Sequence, residues 1–309
     1  MQENQKTLKR RYEFEGKGLH TGKLVKMTLS PAPANTGIRF LRTDLGPDAY
    51  IDAVADYVTL TQRSTTLQKG DITITTLEHL MATFFALGVD NALVEIDNVE
   101  VPILDGSSKP YVEAILPDGL EEQDAPRVWY DLKTPIHYKD EQTGAEFEIT
   151  PAPEYSVDLL VDYNSQVLGV QEASYRFGDD FANEIAPCKT FVFFHELELL
   201  VKHNLVKGGD VENALVIVEH PVPQEELDRM ADLFRVQRLT RTPNGYLDNV
   251  NLHFPNECAR HKMMDILGDL YLVGCRFRAH VRASKSGHKI NTEIAKRIRY
   301  ELFGRTSQC

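Results

Sequence analysis

Two stretches of this chain resemble each other, and that internal likeness constrains the fold more than any other feature. Near the start, Thr28-Leu29-Ser30-Pro31-Ala32-Pro33 precedes the strand-like Gly37-Ile38-Arg39-Phe40-Leu41-Arg42. In the second half, Glu148-Ile149-Thr150-Pro151-Ala152-Pro153 precedes Val157-Asp158-Leu159-Leu160-Val161-Asp162. Each half then offers an amphipathic helix that ends at glycine and runs into a β-branched strand. These are residues 77–87 with Gly88 and then 92–96, and residues 259–273 with Gly274 and then 277–281. The same order appearing twice reads as a duplicated α+β unit.

The two copies differ in length, because the second Pro-Ala-Pro element lies much further from its helix. That half therefore carries an insertion, at about residues 190–220. It holds the apolar run Thr190-Phe191-Val192-Phe193-Phe194, a short helix around residues 197–201, the turn Lys207-Gly208-Gly209-Asp210 and a strand at 214–218. The charged, proline-containing stretch 118–127 reads as a linker. It divides a first domain, residues 1–120, from a second, residues 128–309, with 121–127 between them. A chain of 309 residues suffices for two such cores. No apolar run is long enough to cross a bilayer, and Met1-Gln2-Glu3-Asn4-Gln5-Lys6 is not followed by the apolar segment of a secretory signal. Cys188, Cys258, Cys275 and Cys309 form neither a C-x-x-C pair nor a disulfide scaffold, which fits reduced thiols in the cytoplasm. A net charge of -12 argues against a general nucleic-acid binder, whose footprint is basic.

Chemistry concentrates in three places. In Arg260-His261-Lys262-Met263-Met264-Asp265-Ile266-Leu267-Gly268-Asp269, a helix puts His261 and Asp265 one turn apart on one face, with Asp269 a turn further. An imidazole and a carboxylate so spaced can share a zinc ion, which takes N and O donors at about 2.0–2.2 Å. They can equally form an ion pair worth about 0.2–0.5 kcal/mol to the helix. In Thr75-Thr76-Leu77-Glu78-His79-Leu80, His79 can complete a three-ligand site with a fourth position open for water, and Glu78 can take a proton from that water. The same residues also fit a capping box, Thr75-x-x-Glu78, with His79 merely packed. Lys285-Ser286-Gly287-His288 falls in the loop after the strand that follows the second helix. There His288 can serve as a general acid or as a cation facing an oxyanion, oriented by Asp269, or be a solvated loop histidine.

Two other matches fall short. Phe194-His195-Glu196-Leu197-Glu198-Leu199 starts like the H-E-x-x-H zinc helix, but Leu199 occupies the second histidine position, so His195 and Glu196 read as ordinary helix residues. The Gly208-Gly209 pair lacks the rest of either phosphate-binding fingerprint. It reads as a turn that permits close backbone approach, with Gly209 among the substrate-facing positions.

Taken together these motifs resemble the UDP-3-O-acyl-N-acetylglucosamine deacetylase family, the zinc-dependent hydrolases of the committed step of lipid A synthesis in Gram-negative bacteria. The likeness includes Gly18-Leu19-His20-Thr21-Gly22, Pro31-Ala32-Pro33-Ala34-Asn35-Thr36-Gly37, Arg42-Thr43-Asp44, Gly88-Val89-Asp90-Asn91, Pro102-Ile103-Leu104-Asp105-Gly106-Ser107 and Thr190-Phe191, besides the segments around His79, His261 and His288. The resemblance implies two β-α-α-β domains whose sheets sandwich the helices, with the metal where the domains meet. It implies zinc on His79, His261 and Asp265, and Glu78 as general base. His288, with Asp269 beside it, would be the acid or electrostatic stabiliser. Thr190 would polarise the amide carbonyl, and Lys262 would meet phosphate or transition-state charge. An acyl chain would run along apolar residues of the insertion, here Phe191, Phe193, Leu197, Leu200, Val206 and Val211, and uridine would stack on Tyr163.

The chain departs from that pattern in two ways. Relatives often carry a cysteine near the metal, where this chain reads Thr61-Gln62-Arg63-Ser64-Thr65-Thr66, which puts a thiol-linked inhibitory second-metal site in doubt. Some relatives are fused to a hydroxyacyl-carrier-protein dehydratase, for which this chain leaves no room after Cys309. The competing readings are a zinc amidohydrolase for another acylated amino sugar or a peptide, and a non-catalytic module with a closed metal site or none.

Overall fold

The computed structural model describes residues 3–202, 207–210, 212–234 and 237–304. Among the described residues there are seven α-helices: α1 (Glu78–Leu87), α2 (Lys109–Ile115), α3 (Phe181–Glu184), α4 (Phe194–Lys202), α5 (Gln224–Phe234), α6 (Glu257–Tyr271) and α7 (His288–Phe303).

The internal likeness is a duplication of topology. One sheet runs, in spatial order, Tyr12–Lys17, Leu24–Pro31, Ala92–Ile96, Ile38–Arg42 and Tyr50–Asp52. The other runs Ile136–Lys139, Glu146–Thr150, Arg276–Ser284, Tyr155–Asp162 and Val170–Arg176, with Trp129–Asp131 added beside Arg276–Ser284. In both, the strand after the buried helix takes the centre, antiparallel to one neighbour and parallel to the other. Each sheet turns an alternating apolar face inward, for example Val25, Met27 and Leu29 in the first and Val157, Leu159 and Val161 in the second. Both faces pack into one continuous core with α1, α6 and α7 between them, so the fold is the expected α+β sandwich.

Helix α1 is buried from Glu78 to Phe85, as a helix covered on both sides must be. It stops where Gly88 takes a left-handed φ of 86° and its N–H returns to the carbonyls of Phe84 and Phe85. Against it lies α6, and a side chain at Gly268 of α6 would meet the backbone oxygen of Glu78 at 2.0 Å. Only a residue without Cβ lets the two helices approach so closely.

The insertion builds its own two-stranded parallel sheet, Thr190–Phe193 beside Ala214–Ile217, with α4 and α5. Separate apolar clusters cover its two faces.

Two expectations change. Residues 121–126, read as part of a linker, lie in the strand Leu120–Pro126, antiparallel to Asn4–Leu8. The Arg127 guanidinium is buried on Asp90, which also receives Arg276, so the connection is held in place by ladder hydrogen bonds and ion pairs. His288 is not in a loop: Gly287 is the N-cap of α7 and His288 its first residue. The stripe Ile290, Ile294, Ala295 and Ile298 that α7 buries is the helical signal for it. Among the described residues no helix is long and apolar enough to cross a membrane.

Candidate active site

The close crossing of α1 and α6 brings three side chains together. His79 Nε2 and His261 Nε2 lie 3.8 and 3.6 Å from Asp265 Oδ1, and the three ligand atoms fall within 4.8 Å of one another. All three residues are buried, and this is the one His/Cys/Asp/Glu group among the described residues with the spacing to hold a metal ion. His261 Nδ1 lies 3.1 Å from the Cys188 carbonyl, an acceptor that fixes the N–H there and leaves the Nε2 lone pair facing the group. Burial, reinforced by the neighbouring imidazole of His261, pulls the His79 pKa down to about 3. Burial also lowers that of His261. Burial acts against the Asp265 carboxylate, but Lys262 and the histidines hold its pKa well below the usual range. Neutral imidazoles and an ionised carboxylate are the protonation states that metal ligation requires. Lys262 Nζ donates to Asp265 Oδ2 at 2.7 Å, whereas buried Oδ1 has no hydrogen-bond partner. An unmet carboxylate oxygen aimed at two neutral imidazoles fits a divalent cation.

The capping-box reading of Thr75 and Glu78 does not survive. Leu77 is the N-cap of α1 with no side-chain cap hydrogen bond, and Glu78 Oε2 instead accepts the backbone N–H of Thr65 at 3.2 Å. Glu78 Oε1 lies 3.8 Å from His288 Nε2. Burial, with Asp269 and Asp265 adding negative charge nearby, raises the Glu78 pKa to about 7 against the pull of His288.

Burial disfavours charge on His288, but the carboxylates of Asp269, Glu78 and Asp265 outweigh it and push its pKa up to about 9. Its Nδ1 meets Asp269 Oδ2 at 2.9 Å, which turns Nε2 toward Glu78. Asp269 is fully buried and also accepts Asn291 Nδ2 at 2.9 Å and Thr65 Oγ1 at 2.5 Å. Thr65 thus ties Glu78 to the Asp269–His288 pair through one backbone N–H and one hydroxyl. The family resemblance sets its loop, residues 61–66, near the metal, but no local pattern singles out Thr65 within it.

These groups border a cavity of about 210 Å³. Glu78, His79, Thr190, Phe191, Leu197, Gly209, His261, Lys262, Asp265 and His288 all line it, and Asp269 stands behind His288. Thr190 is presented by its own N–H, which donates to Gly106 at 2.9 Å, and by Glu257, whose Oε1 accepts the N–H of Lys189. The Lys262 ammonium rests 5.5 Å from the Phe191 ring centre. Tyr163 does not line the cavity; it packs edge-on against Phe191 and Phe193, partly exposed. Phe193 is a correction to the expected apolar passage. It packs with Leu215, Ile217 and Tyr246 without lining the cavity, whereas Phe191, two residues earlier on the same face of the strand, reaches it. The side chain of Leu200, and residues Val206 and Val211, lie outside the described residues. Among the described residues, Val192, Phe194, Val216, Met230, Leu239 and Leu247 line the apolar part of the cavity. His195 is exposed and faces Glu219 at 3.8 Å, away from any metal group.

Fold and site define a duplicated α+β protein with a candidate metal centre where its two central helices cross. The family model described as LpxC, UDP-3-O-acyl N-acetylglycosamine deacetylase, matches residues 5–235 and 238–300. The chain belongs to this family. It is 43% identical to the bifunctional enzyme LpxC/FabZ of Porphyromonas gingivalis over 97% of its own length and 65% of that protein. It is 38% identical to the UDP-3-O-acyl-N-acetylglucosamine deacetylases of Citrifermentans bemidjiense and Pseudomonas entomophila, each over 95% of this chain and 89% of the relative. The chain therefore spans about two thirds of the bifunctional relatives.

Proposed function

We propose that this protein hydrolyses the 2-acetamido group of UDP-3-O-acyl-N-acetylglucosamine, giving UDP-3-O-acyl-glucosamine and acetate, the committed step of lipid A biosynthesis. The observation that carries the reading is a His79–His261–Asp265 group with an unpartnered carboxylate oxygen, set beside Glu78 and His288 in a cavity that continues into an apolar end. Family membership and the names of the relatives support the substrate.

Zinc on those three residues would supply Lewis acidity toward the amide carbonyl and acidify water at neutral pH. Glu78, with a pKa near 7, is the base that takes the proton as the water oxygen attacks the carbonyl carbon. Thr190 donates to the carbonyl oxygen, and His288 faces the charge that develops there. As the C–N bond breaks, His288 gives its Nε2 proton to the departing amine, while Asp269 keeps the ring oriented. Lys262 holds Asp265 and faces the substrate's anionic portion. Phe191 and Leu197 flank the acyl chain, Gly209 offers backbone at the cavity wall, and Tyr163 takes the uridine. A nucleotide-sugar substrate and the free thiols of Cys188, Cys258 and Cys275 support a cytoplasmic location.

The test is zinc content together with acetate release from the 3-O-acylated UDP-sugar. One zinc per chain and chelator-sensitive release are expected. Undiminished release after stringent chelation, or no release from the zinc-loaded protein, would overturn the reading.

A further inference from the structure

The first-domain wall of the cavity is held by a carboxylate that does not line it. Leu19 and His20 face the cavity from the turn between Tyr12–Lys17 and Leu24–Pro31, and Thr76 faces it two residues before Glu78. Glu100 lies behind them, fully buried. It accepts the backbone N–H of His20 at 2.9 Å and of Thr21 at 2.8 Å, the Thr21 hydroxyl at 2.7 Å and the Thr76 hydroxyl at 3.0 Å. All four donors are neutral, so hydrogen bonds rather than a cation satisfy this carboxylate. Such a network tolerates little displacement, because a buried oxygen that loses its donor has no water to turn to.

Both ends of the network are tightly built. A Cβ at Gly18 would meet Glu100 Oε2 at 2.3 Å, so the turn wraps directly onto the carboxylate. On its other side the Leu19 carbonyl accepts the N–H of Gly208 at 3.0 Å, which seats the insertion beside the turn. At the far end Thr76 takes a left-handed φ of 61°, a conformation that β-branched residues rarely adopt. It is held there by its N–H on the Thr65 carbonyl at 3.0 Å and by its hydroxyl on Glu100. The preceding Thr75 donates to the Val99 carbonyl and accepts from Val101, on either side of Glu100. A strained residue fixed by so many neighbours marks a place where geometry matters, and Glu78 and His79 follow at once.

We propose that Glu100 is a positioning residue for the reaction, joining the His20 turn to the entry of α1 so that the cavity wall and the Glu78–His79 pair keep one spacing. The proposal rests on the deacetylase reading for the reaction, and on the hydrogen bonds of Glu100 for the joint. Its two arms act on different steps. The turn borders bound substrate and bears on KM, whereas Thr76 sets the start of α1 and bears on kcat and on metal retention by His79.

The experiment measures acetate release from the 3-O-acylated UDP-sugar, zinc affinity by chelator competition and the urea midpoint for Thr21→Val, Thr76→Val, Thr76→Ser and Glu100→Gln. Thr21→Val should raise KM severalfold at unchanged kcat. Thr76→Val should lower kcat about 10-fold at unchanged KM and weaken zinc about 10-fold. Thr76→Ser, which keeps the hydroxyl, should restore both. Glu100→Gln turns an amide donor toward donors and should cut kcat/KM by about 10–100-fold. In that background Thr76→Val should add less than about twofold. A Thr76→Ser variant as weak as Thr76→Val, KM and kcat changed alike by both arms, or full additivity with Glu100→Gln overturns the proposal. The two threonine positions decide it even where Glu100→Gln does not fold. If the wild type does not turn over the UDP-sugar, the deacetylase reading falls, while the zinc affinities of the Thr76 variants still decide whether this joint sets α1.

Discussion

Gly268→Ala separates two physical arguments that give opposite signs. Gly268 lies inside α6, where alanine is favoured over glycine by about 1 kcal/mol. On propensity alone the variant should be more stable and equally active. The crossing with α1 says otherwise. The added Cβ would stand 2.0 Å from the Glu78 carbonyl oxygen and 2.8 Å from its carbon, whereas ordinary contact begins near 3.4 Å. The obstacle is backbone, so no side-chain rotation relieves it, and the helices must part by about 1 Å or more. Overpacking of this kind costs about 1–3 kcal/mol, at its upper end where backbone must move, and it exceeds the helical gain. A net loss of about 1–2 kcal/mol follows, readable as a lower urea midpoint at unchanged m. The effect on turnover should be larger. Glu78 and His79 ride on α1 while His261 and Asp265 ride on α6, and a displacement of about 1 Å costs on the order of 100-fold in rate. Urea unfolding, bound zinc and kcat measured on one preparation decide the matter. A raised urea midpoint with full kcat would refute the claim that this contact sets the site.

Other consequences follow from the same geometry. Glu78→Gln should lower kcat by about 100-fold or more while elemental analysis still finds one zinc per chain. The pH profile of kcat/KM should be a bell. Glu78 must be ionised, so activity rises with pH through a limb that the bound ion sets below about pH 7, and His288 must be protonated, so it falls through a limb set below about pH 9; His288→Gln should remove the falling limb. Thr65→Val should cut kcat with little change in KM, and Thr65→Ser should restore it, because the first removes the hydroxyl that meets Asp269 and His288 and keeps the backbone N–H on Glu78. Zinc at 100 times its dissociation constant should stabilise the wild type by about 2.7 kcal/mol in chemical unfolding, and Asp265→Ala should abolish that response.

How much of this was legible in the chain depended on how far apart in sequence the causes lie. His261 and Asp265 could be read because one helical turn places them together. The duplication could be read because each half repeats the same order of local signals. Glu78 and His79 could be found, but their alternative role as a cap was excluded only by Thr65, whose N–H occupies the carboxylate from another loop. Thr65 and Gly268 were illegible for a common reason. Each matters through a backbone contact with a distant element, and such contacts leave no pattern in spacing. Phe193 was misplaced because an apolar run was read whole, although only its Phe191 end, next to the metal group, reaches the cavity from that face of the strand. Met230, Leu239 and Leu247 fell beyond the expected limits of the insertion, so their part of the cavity wall escaped notice. The strand Leu120–Pro126 escaped because Glu121, Glu122 and Asp124 are all exposed on a two-stranded sheet, where no core face demands an alternating apolar pattern.

The charge inside the site links these observations. Three buried carboxylates, those of Glu78, Asp265 and Asp269, each lie within 4.0 Å of a His288 ring nitrogen. Burying an unpaired carboxylate costs several kcal/mol, and the described structure supplies only Lys262 and His288 as cations in contact with them. Lys262 pairs with Asp265 and His288 with Asp269, which leaves Glu78 to absorb the imbalance through its raised pKa. A divalent ion on Asp265 Oδ1 and the two neutral imidazoles would reverse that balance, turning the pocket from negative to positive. Glu78 would then ionise more readily, and the added positive field would favour an anionic transition state over the neutral amide that precedes it. The same arrangement accounts for burying Asp269 completely: with its lone pairs taken by Thr65, Asn291 and His288, it can hold the imidazolium without competing for the metal.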